Sequence, residues 1–171
     1  MFGNIVNHIT SFVQANQGWA PLIVGVLAFC ESLAVISFFV PATVILVAIG
    51  GLIGASGVPF WPNWAGAALG AMLGDVLSYF VGLLFKDRIR RSKFLLDHKE
   101  ATDRAFAFMS RWGALGVFIG RFSGPLRAFV PLAAGLIHMP QVRFQAANIA
   151  SALLWAALVL SPGTLFGRFF G

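Results

Sequence analysis

Outside one short basic stretch, this 171-residue chain holds only six formally charged side chains, and four of them stand in apolar surroundings: Glu31, Asp75, Arg121 and Arg127. Two acids and two arginines can neutralise one another. An acid can also take up and release a proton, and a guanidinium can hold an anion. Its flat fork of donors matches the oxygens of a phosphate, and it stays charged when dehydrated. Both arginines lie in "RFSGPLRAFVPLAAG", residues 121–135, with Gly124, Pro125, Pro131 and Gly135 around them. Glu31 opens "ESLAVISFFVPAT", residues 31–43, which carries Pro41 and Thr43. Prolines and glycines in such places predict breaks whose freed backbone groups line a cavity with the charges.

The surroundings are those of a membrane protein. Hydrophobic residues make up 58% of the chain and charged ones 11%, with a mean hydropathy of +0.85. Soluble domains carry about 25% charged residues, so this chain lacks the means to cover a water-facing surface. The net charge of +6 does not point to nucleic acid, because eight of the twelve basic residues and four of the six acids fall within 86–111. That pattern predicts a cytoplasmic juxtamembrane segment. A single cysteine, Cys30, and three scattered histidines predict neither a disulfide nor a metal site. The N-terminus lacks the basic start and cleavage signature of a signal peptide.

The elements that must position the four charges follow from the apolar pattern. Residues 2–13 have helical apolar spacing and predict a short interfacial helix. The apolar run 19–58 is too long for one span and too short for two of about 20 residues. It is interrupted by Pro41 and by Gly50, Gly51, Gly54 and Gly57, which fits a hairpin that enters and leaves on one side. Residues 64–85 predict a clean span, with Trp61, Trp64 and Lys86 at its interfaces. One face of it repeats Gly66, Gly70, Gly74, Ser78 and Gly82, and such faces allow close helix approach. The second half of 86–111 predicts another interfacial helix. Residues 112–140 form a second broken apolar stretch and 144–167 a final span, with Pro162 and Gly163 near its end. Arg143 and Arg168 fit interface anchors.

The two halves share an organisation. Glu31 lies ten residues before Pro41 and Arg121 ten before Pro131, and Phe39-Val40-Pro41 recurs as Phe129-Val130-Pro131. The expected fold is therefore an all-α integral membrane protein in one domain, 1–171. Repeat 1 covers about 19–85 and repeat 2 about 112–167, each a re-entrant hairpin followed by a span, in opposite orientations. An isolated charge at the bilayer centre costs at least ~2.5–3.5 kcal/mol on insertion scales. Opposed hairpins would lower that cost by bringing Glu31 to an arginine. A purely structural pair would be Glu31 with Arg121, and Asp75 would serve Tyr79 or an arginine.

Residues spread along most of the chain carry a family resemblance. Glu31 with Pro41, Gly74-Asp75 followed by Tyr79 and Gly82, "RFSGPLRAFVPLAAGLIHMPQVRF" at 121–144, and the Asn148 and Trp155 beyond it resemble the DedA family, also known for its VTT or SNARE-associated domain. The resemblance implies two opposed re-entrant hairpins in a multi-pass protein of the bacterial cytoplasmic membrane. It also implies lipid translocation. Bacterial members are linked to recycling of undecaprenyl phosphate or to phospholipids such as phosphatidylethanolamine, and eukaryotic relatives behave as scramblases. The family's acid falls on Glu31 and its two arginines on Arg121 and Arg127, which would bind the lipid phosphate. Where the family often has Pro-Gly-Glu, this chain has Pro41-Ala42-Thr43, so coupling to protons (or sodium) would fall to Glu31 and Asp75. No other cofactor is expected.

Three other functions compete with that one. A lipid phosphatase needs a histidine beside the arginines, and the nearest, His138, lies eleven residues beyond Arg127. A coupled transporter of a small solute could use the same four charges. A scaffold would use the Gly66/Gly70/Gly74 face to form a homo-oligomer.

Overall fold

A computed structural model of the chain describes residues 11, 16–33, 42–56, 59–86, 99–123, 127 and 129–170. Apart from residue 11, the expected helix over 2–13 lies outside the described residues, as do Pro41, Gly124, Pro125, the side chain of Thr43 and residues 87–98 of the basic segment. Those described form six helices and no strand: α1 Ala20–Ser32, α2 Ala42–Ser56, α3 Phe60–Leu84, α4 Lys99–Gly120, α5 Phe129–Leu136 and α6 Gln141–Phe170. Two of them, α3 and α6, are long and apolar enough to cross a membrane.

The start of α3 explains why it begins four residues earlier than expected. Pro59 sits at the N-cap and Pro62 in the first turn, where a missing N–H leaves no helical bond unmade. Asn63 closes the turn by donating from Nδ2 to the Pro59 carbonyl at 2.8 Å. Trp64 then donates its indole N–H to the Leu153 carbonyl at 3.0 Å, fastening α3 to α6.

The small-residue face of α3 is filled within the chain. A Cβ on Gly66, Gly70 or Gly74 would overlap the carbonyls of Pro21, Gly25 and Phe29 respectively. Both residue series rise together, so α1 lies along α3 in the same direction. It ends where Ser78 Oγ donates to the Ser32 carbonyl at 3.2 Å. At 1.5 Å per residue, α3 is about 37 Å long, and α1 stops about 9 Å short of its far end. This corrects one expectation: the Gly66/Gly70/Gly74 face is not available to a second copy, because α1 covers it.

Helix α2 packs on α6, with Gly50 against the Leu160 carbonyl. The helix passes through Gly50, Gly51 and Gly54, so these glycines do not break the run, and Gly50 serves packing. In the second half, α4 turns sharply at Gly113 (φ 51°, ψ −125°), separating its polar start from the apolar stretch 114–120. Gly120 then meets the Val130 side chain of α5. Helix α5 interlocks with the far end of α3 through Gly82 against the Leu132 carbonyl and Gly135 against the Tyr79 carbonyl. Thus α1 packs along the N-terminal two thirds of α3, and α5 packs against its C-terminal end. Each half's shorter helix also leans on the other half's span: α2 on α6, and α5 on α3.

Two further expectations are corrected. Pro131 is the third residue of α5, so it opens that helix at a position where proline is tolerated; the break lies before it. Gly135 is buried inside α5 and lines no gap. Helix α6 also continues beyond Pro162 and Gly163.

Unlike that of a soluble domain, the outer surface of the spanning helices is apolar. Leu69, Leu73, Leu77, Val81 and Leu84 form an exposed apolar ridge along α3, and Ile149, Leu154 and Leu158 are exposed on α6. The interior holds two apolar clusters. One gathers Val24, Ile45, Ile49, Ala71, Trp155 and Leu160, and the other Tyr79, Met109, Val117, Ala134, Met139 and Phe144. Seven further buried residues are polar or charged and form a polar cluster of two hydrogen-bonded groups: Asp75, Arg121, Asn148 and Ser151 in one, and Glu31, Ser32 and Ser78, with Arg127, in the other.

Candidate functional site

All four charges of the apolar segments gather in that polar cluster. Asp75 projects from α3, about 4.5 Å of rise past its midpoint, and is 5% exposed. Arg121 follows immediately on Gly120, where α4 ends, and is likewise 5% exposed. Its Nη2 donates to Asp75 Oδ2 and to Asn148 Oδ1 at 2.6 Å, and its Nε donates to Ser151 Oγ at 3.0 Å. Asn148 is fixed in turn, donating from Nδ2 to the Met72 carbonyl at 3.2 Å. Ser151 donates to the Asn148 carbonyl at 3.1 Å. Arg121 Nη1 is buried and has no hydrogen-bond partner among the described residues.

The second pair joins the tips of the shorter helices. Glu31 and Ser32 are the last two residues of α1, where the helix dipole and free carbonyls favour a cation. Arg127 Nη1 donates to Glu31 Oε1 at 3.0 Å, and Nη2 approaches Ser32 Oγ at 3.3 Å. The guanidinium carbon sits 4.3 Å from the centre of the Trp155 ring, within cation–π range. Sequence reasoning expected Glu31 to meet an arginine, with Arg121 as its structural partner. The partner is Arg127, and Arg121 belongs to Asp75. Tyr79 is not bonded to Asp75; its hydroxyl donates to the Met139 carbonyl at 2.6 Å.

Both acids come from the first half of the chain and both arginines from the second. The four formal charges sum to zero, which suits a dehydrated interior. Replacing one partner would strand the other, so the pairs hold the halves together. They also offer an anion two guanidinium groups, with hydroxyls and an amide around them. Among the described residues no group of three or more histidine, cysteine or acidic side chains could hold a metal.

Ser32, Ser151 and Asn148 were not singled out as site residues from sequence, although a signal exists. Gln145, Asn148 and Ser151 are the polar residues of α6 between Arg143 and Ser161. They recur every third position, so they mark one face. Pro41, Thr43, Gly124 and Pro125 are not placed by the described side chains. Pro131 is buried within α5, and Gly135 packs on α3 at Tyr79 and Leu83.

Comparison with known proteins bears on the same segments. The VTT domain model matches residues 40–165. The chain is 33% identical over 156 residues to "Inner membrane protein YabI" of Escherichia coli, covering 91% of this chain and 61% of that protein. It is 31% identical over 159 residues to an uncharacterized membrane protein of Buchnera aphidicola, covering 93% and 62%. It is 26% identical over 163 residues to "Protein DedA" of E. coli, covering 94% and 74%. The chain thus spans about three fifths of the length of the first two relatives. No solved structure matches. With the VTT domain covering both spanning helices and both arginines, the chain belongs to the DedA (VTT domain) family of membrane proteins.

Proposed function

We propose that this protein is a lipid translocase, moving a phosphate-bearing lipid, undecaprenyl phosphate first among candidates, across the bacterial cytoplasmic membrane in which it is a multi-pass protein. The alternative cargo is a phospholipid such as phosphatidylethanolamine. The architecture is an inverted repeat in which two re-entrant hairpins enter from opposite faces and meet at the polar cluster. The observation that carries the reading is the Arg127 guanidinium, which among the described residues meets the Glu31 carboxylate at 3.0 Å, the Ser32 hydroxyl at 3.3 Å and the Trp155 ring. A lipid phosphate competes with Glu31 for the Arg127 fork. Arg121 adds a second buried positive charge and, at Nη1, a donor without a partner among the described residues. Protonation of Glu31 favours the phosphate-bound state, since a neutral acid releases the arginine at lower cost. The lipid tail stays in the bilayer against the apolar outer ridges.

The test is reconstitution in vesicles containing labelled undecaprenyl phosphate or labelled phospholipids, with leaflet exchange followed over time. Exchange of the phosphate-bearing lipid above the protein-free rate, lost in Arg127→Ala, is expected. Rates equal to empty vesicles for every lipid tried would exclude the proposal. Exchange confined to phosphatidylethanolamine would select the alternative cargo.

A further inference from the structure

A second pair of basic side chains stands far from the buried charges, where α3 ends and α6 begins. Lys86 follows the exposed Leu84 and Phe85 at the end of the α3 span, and its Nζ lies 3.3 Å from His138 Nδ1. Lys86 is half-buried and His138 exposed. An ammonium has only donors to offer, so Nδ1 accepts and the ring proton sits on Nε2.

The backbone under His138 is unusual. His138 is the one non-glycine residue with positive φ among those described, at 56°. It occupies the left-handed position of a Schellman turn closing α5. The Met139 N–H bonds the Ala134 carbonyl and the His138 N–H bonds the Gly135 carbonyl, both at 3.0 Å. Glycine is the residue this position favours. The turn is otherwise well secured: Met139 is buried beside Ala134, its carbonyl accepts from Tyr79, and Pro140 follows. Nothing in the turn needs an imidazole, so a strained histidine kept there points to a role for the ring itself.

We infer that Lys86 and His138 form a docking site for a lipid phosphate headgroup at the membrane–water boundary, separate from the central ion pairs. Two basic nitrogens 3.3 Å apart suit two oxygens of one phosphate group. With an anion between them, tautomer exchange turns Nδ1 into a donor beside the ammonium, and each nitrogen gives one hydrogen bond. The exposed Arg143 on the first turn of α6 adds positive charge nearby. The exposed Leu84, Phe85 and Val142 give acyl chains apolar surface at the same end, which favours a lipid over free phosphate. The turn holds the ring on a rigid platform, so little ordering remains to be done on binding.

The test uses the full chain in phosphatidylcholine vesicles carrying either spin-labelled phosphatidic acid or spin-labelled phosphatidylcholine, read as the motionally restricted fraction of each. Wild type should retain phosphatidic acid over phosphatidylcholine, and Lys86→Gln should reduce that preference about fivefold, the scale of one lysine near a surface. His138→Gly should reduce it too while raising the midpoint of thermal unfolding, because glycine relieves the left-handed strain. The reduction caused by Lys86→Gln should persist in an Arg127→Gln background, whatever Arg127→Gln does alone. Equal retention of the two lipids by wild type, or an unchanged preference in both Lys86→Gln and His138→Gly, would overturn the site. So would a lower unfolding midpoint in His138→Gly, which would make the ring a structural prop. Loss of that reduction in the Arg127→Gln background would assign the retained lipid to the central charges instead. Because no transport is measured, failure here leaves the translocase reading standing, and the reverse holds too.

Discussion

The two buried ion pairs look alike in the sequence and differ in what holds them. Arg121 engages Asp75, Asn148 and Ser151, and all three project from the spanning helices α3 and α6. Arg127 engages Glu31 and Ser32, the last two residues of the 13-residue α1, and rests on the Trp155 ring. Side-chain exposure barely separates them, at 4% for Arg121 and 10% for Arg127. The difference lies in the partners. One arginine fastens two long helices whose backbones are fixed along their length; the other joins two short tips. A cluster that must be both stable and able to release a partner can divide the tasks in this way. The first pair serves as a rivet and the second as the exchangeable contact.

That division is broken most severely at Arg121. Arg121→Ala leaves Asp75 charged and enclosed and takes a donor from both Asn148 and Ser151. Removing one member of a buried pair costs about 3–5 kcal/mol, so this variant should show the largest loss of stability of any single change in the cluster. Thermal unfolding in detergent measures it. Asp75→Asn combined with Arg121→Gln should recover part of the loss, because the enclosed charge is then gone. A midpoint for Arg121→Ala equal to wild type would mean that water reaches the cluster and the rivet does not exist.

Arg127→Ala should invert the profile. The stability loss is smaller, on the order of 1–3 kcal/mol for hydrogen bonds to a charged group, because the α3–α6 contacts remain. Lipid exchange should fall about 10- to 100-fold, the kinetic equivalent of the same interactions withdrawn from a phosphate. Glu31→Gln sharpens the contrast, since the amide keeps an acceptor for Arg127 while losing its charge. It should keep the fold and alter the rate. If Arg121→Ala and Arg127→Ala lower stability and exchange in equal proportion, the two pairs are one structural unit.

How much of this was legible in the sequence depended on the physics involved. The four charges could be picked out because ionisable residues in apolar stretches are costly and therefore conspicuous. The spans could be read because bilayer thickness fixes their length. The pairing could not be assigned, since nothing in the spacing of Glu31, Asp75, Arg121 and Arg127 says where along α3 the end of α1 comes to lie. That position is set by α1 seating on Gly66, Gly70 and Gly74, a contact the same glycines would equally offer to another copy. Pro131 and the glycines of α2 were read as breaks because proline and glycine are ambiguous between ending a helix and beginning or packing one. Asn148 carries part of the family resemblance but, like Ser151, has no site role in the sequence reading, because uncharged polar residues in a span attract less notice than charges; their spacing of three from Gln145 marks the face that Arg121 meets.

The finest distinction between the two pairs rests on Trp155. The ring holds Arg127 without consuming any of its donors, so the guanidinium edge stays available to a carboxylate or a phosphate. A cation–π contact is worth about 0.5–2 kcal/mol, and Phe keeps most of the aromatic face while Leu keeps only bulk. Trp155→Phe should therefore leave exchange near wild type. Trp155→Leu should raise the lipid concentration needed for half-maximal exchange roughly 2- to 30-fold, with the maximal rate little changed. A loss of packing alone would lower stability in both variants without separating them. The separation between Phe and Leu is therefore what identifies Trp155 as a positioning residue for Arg127, and two variants with the same half-saturation would reduce it to a member of the apolar cluster around it.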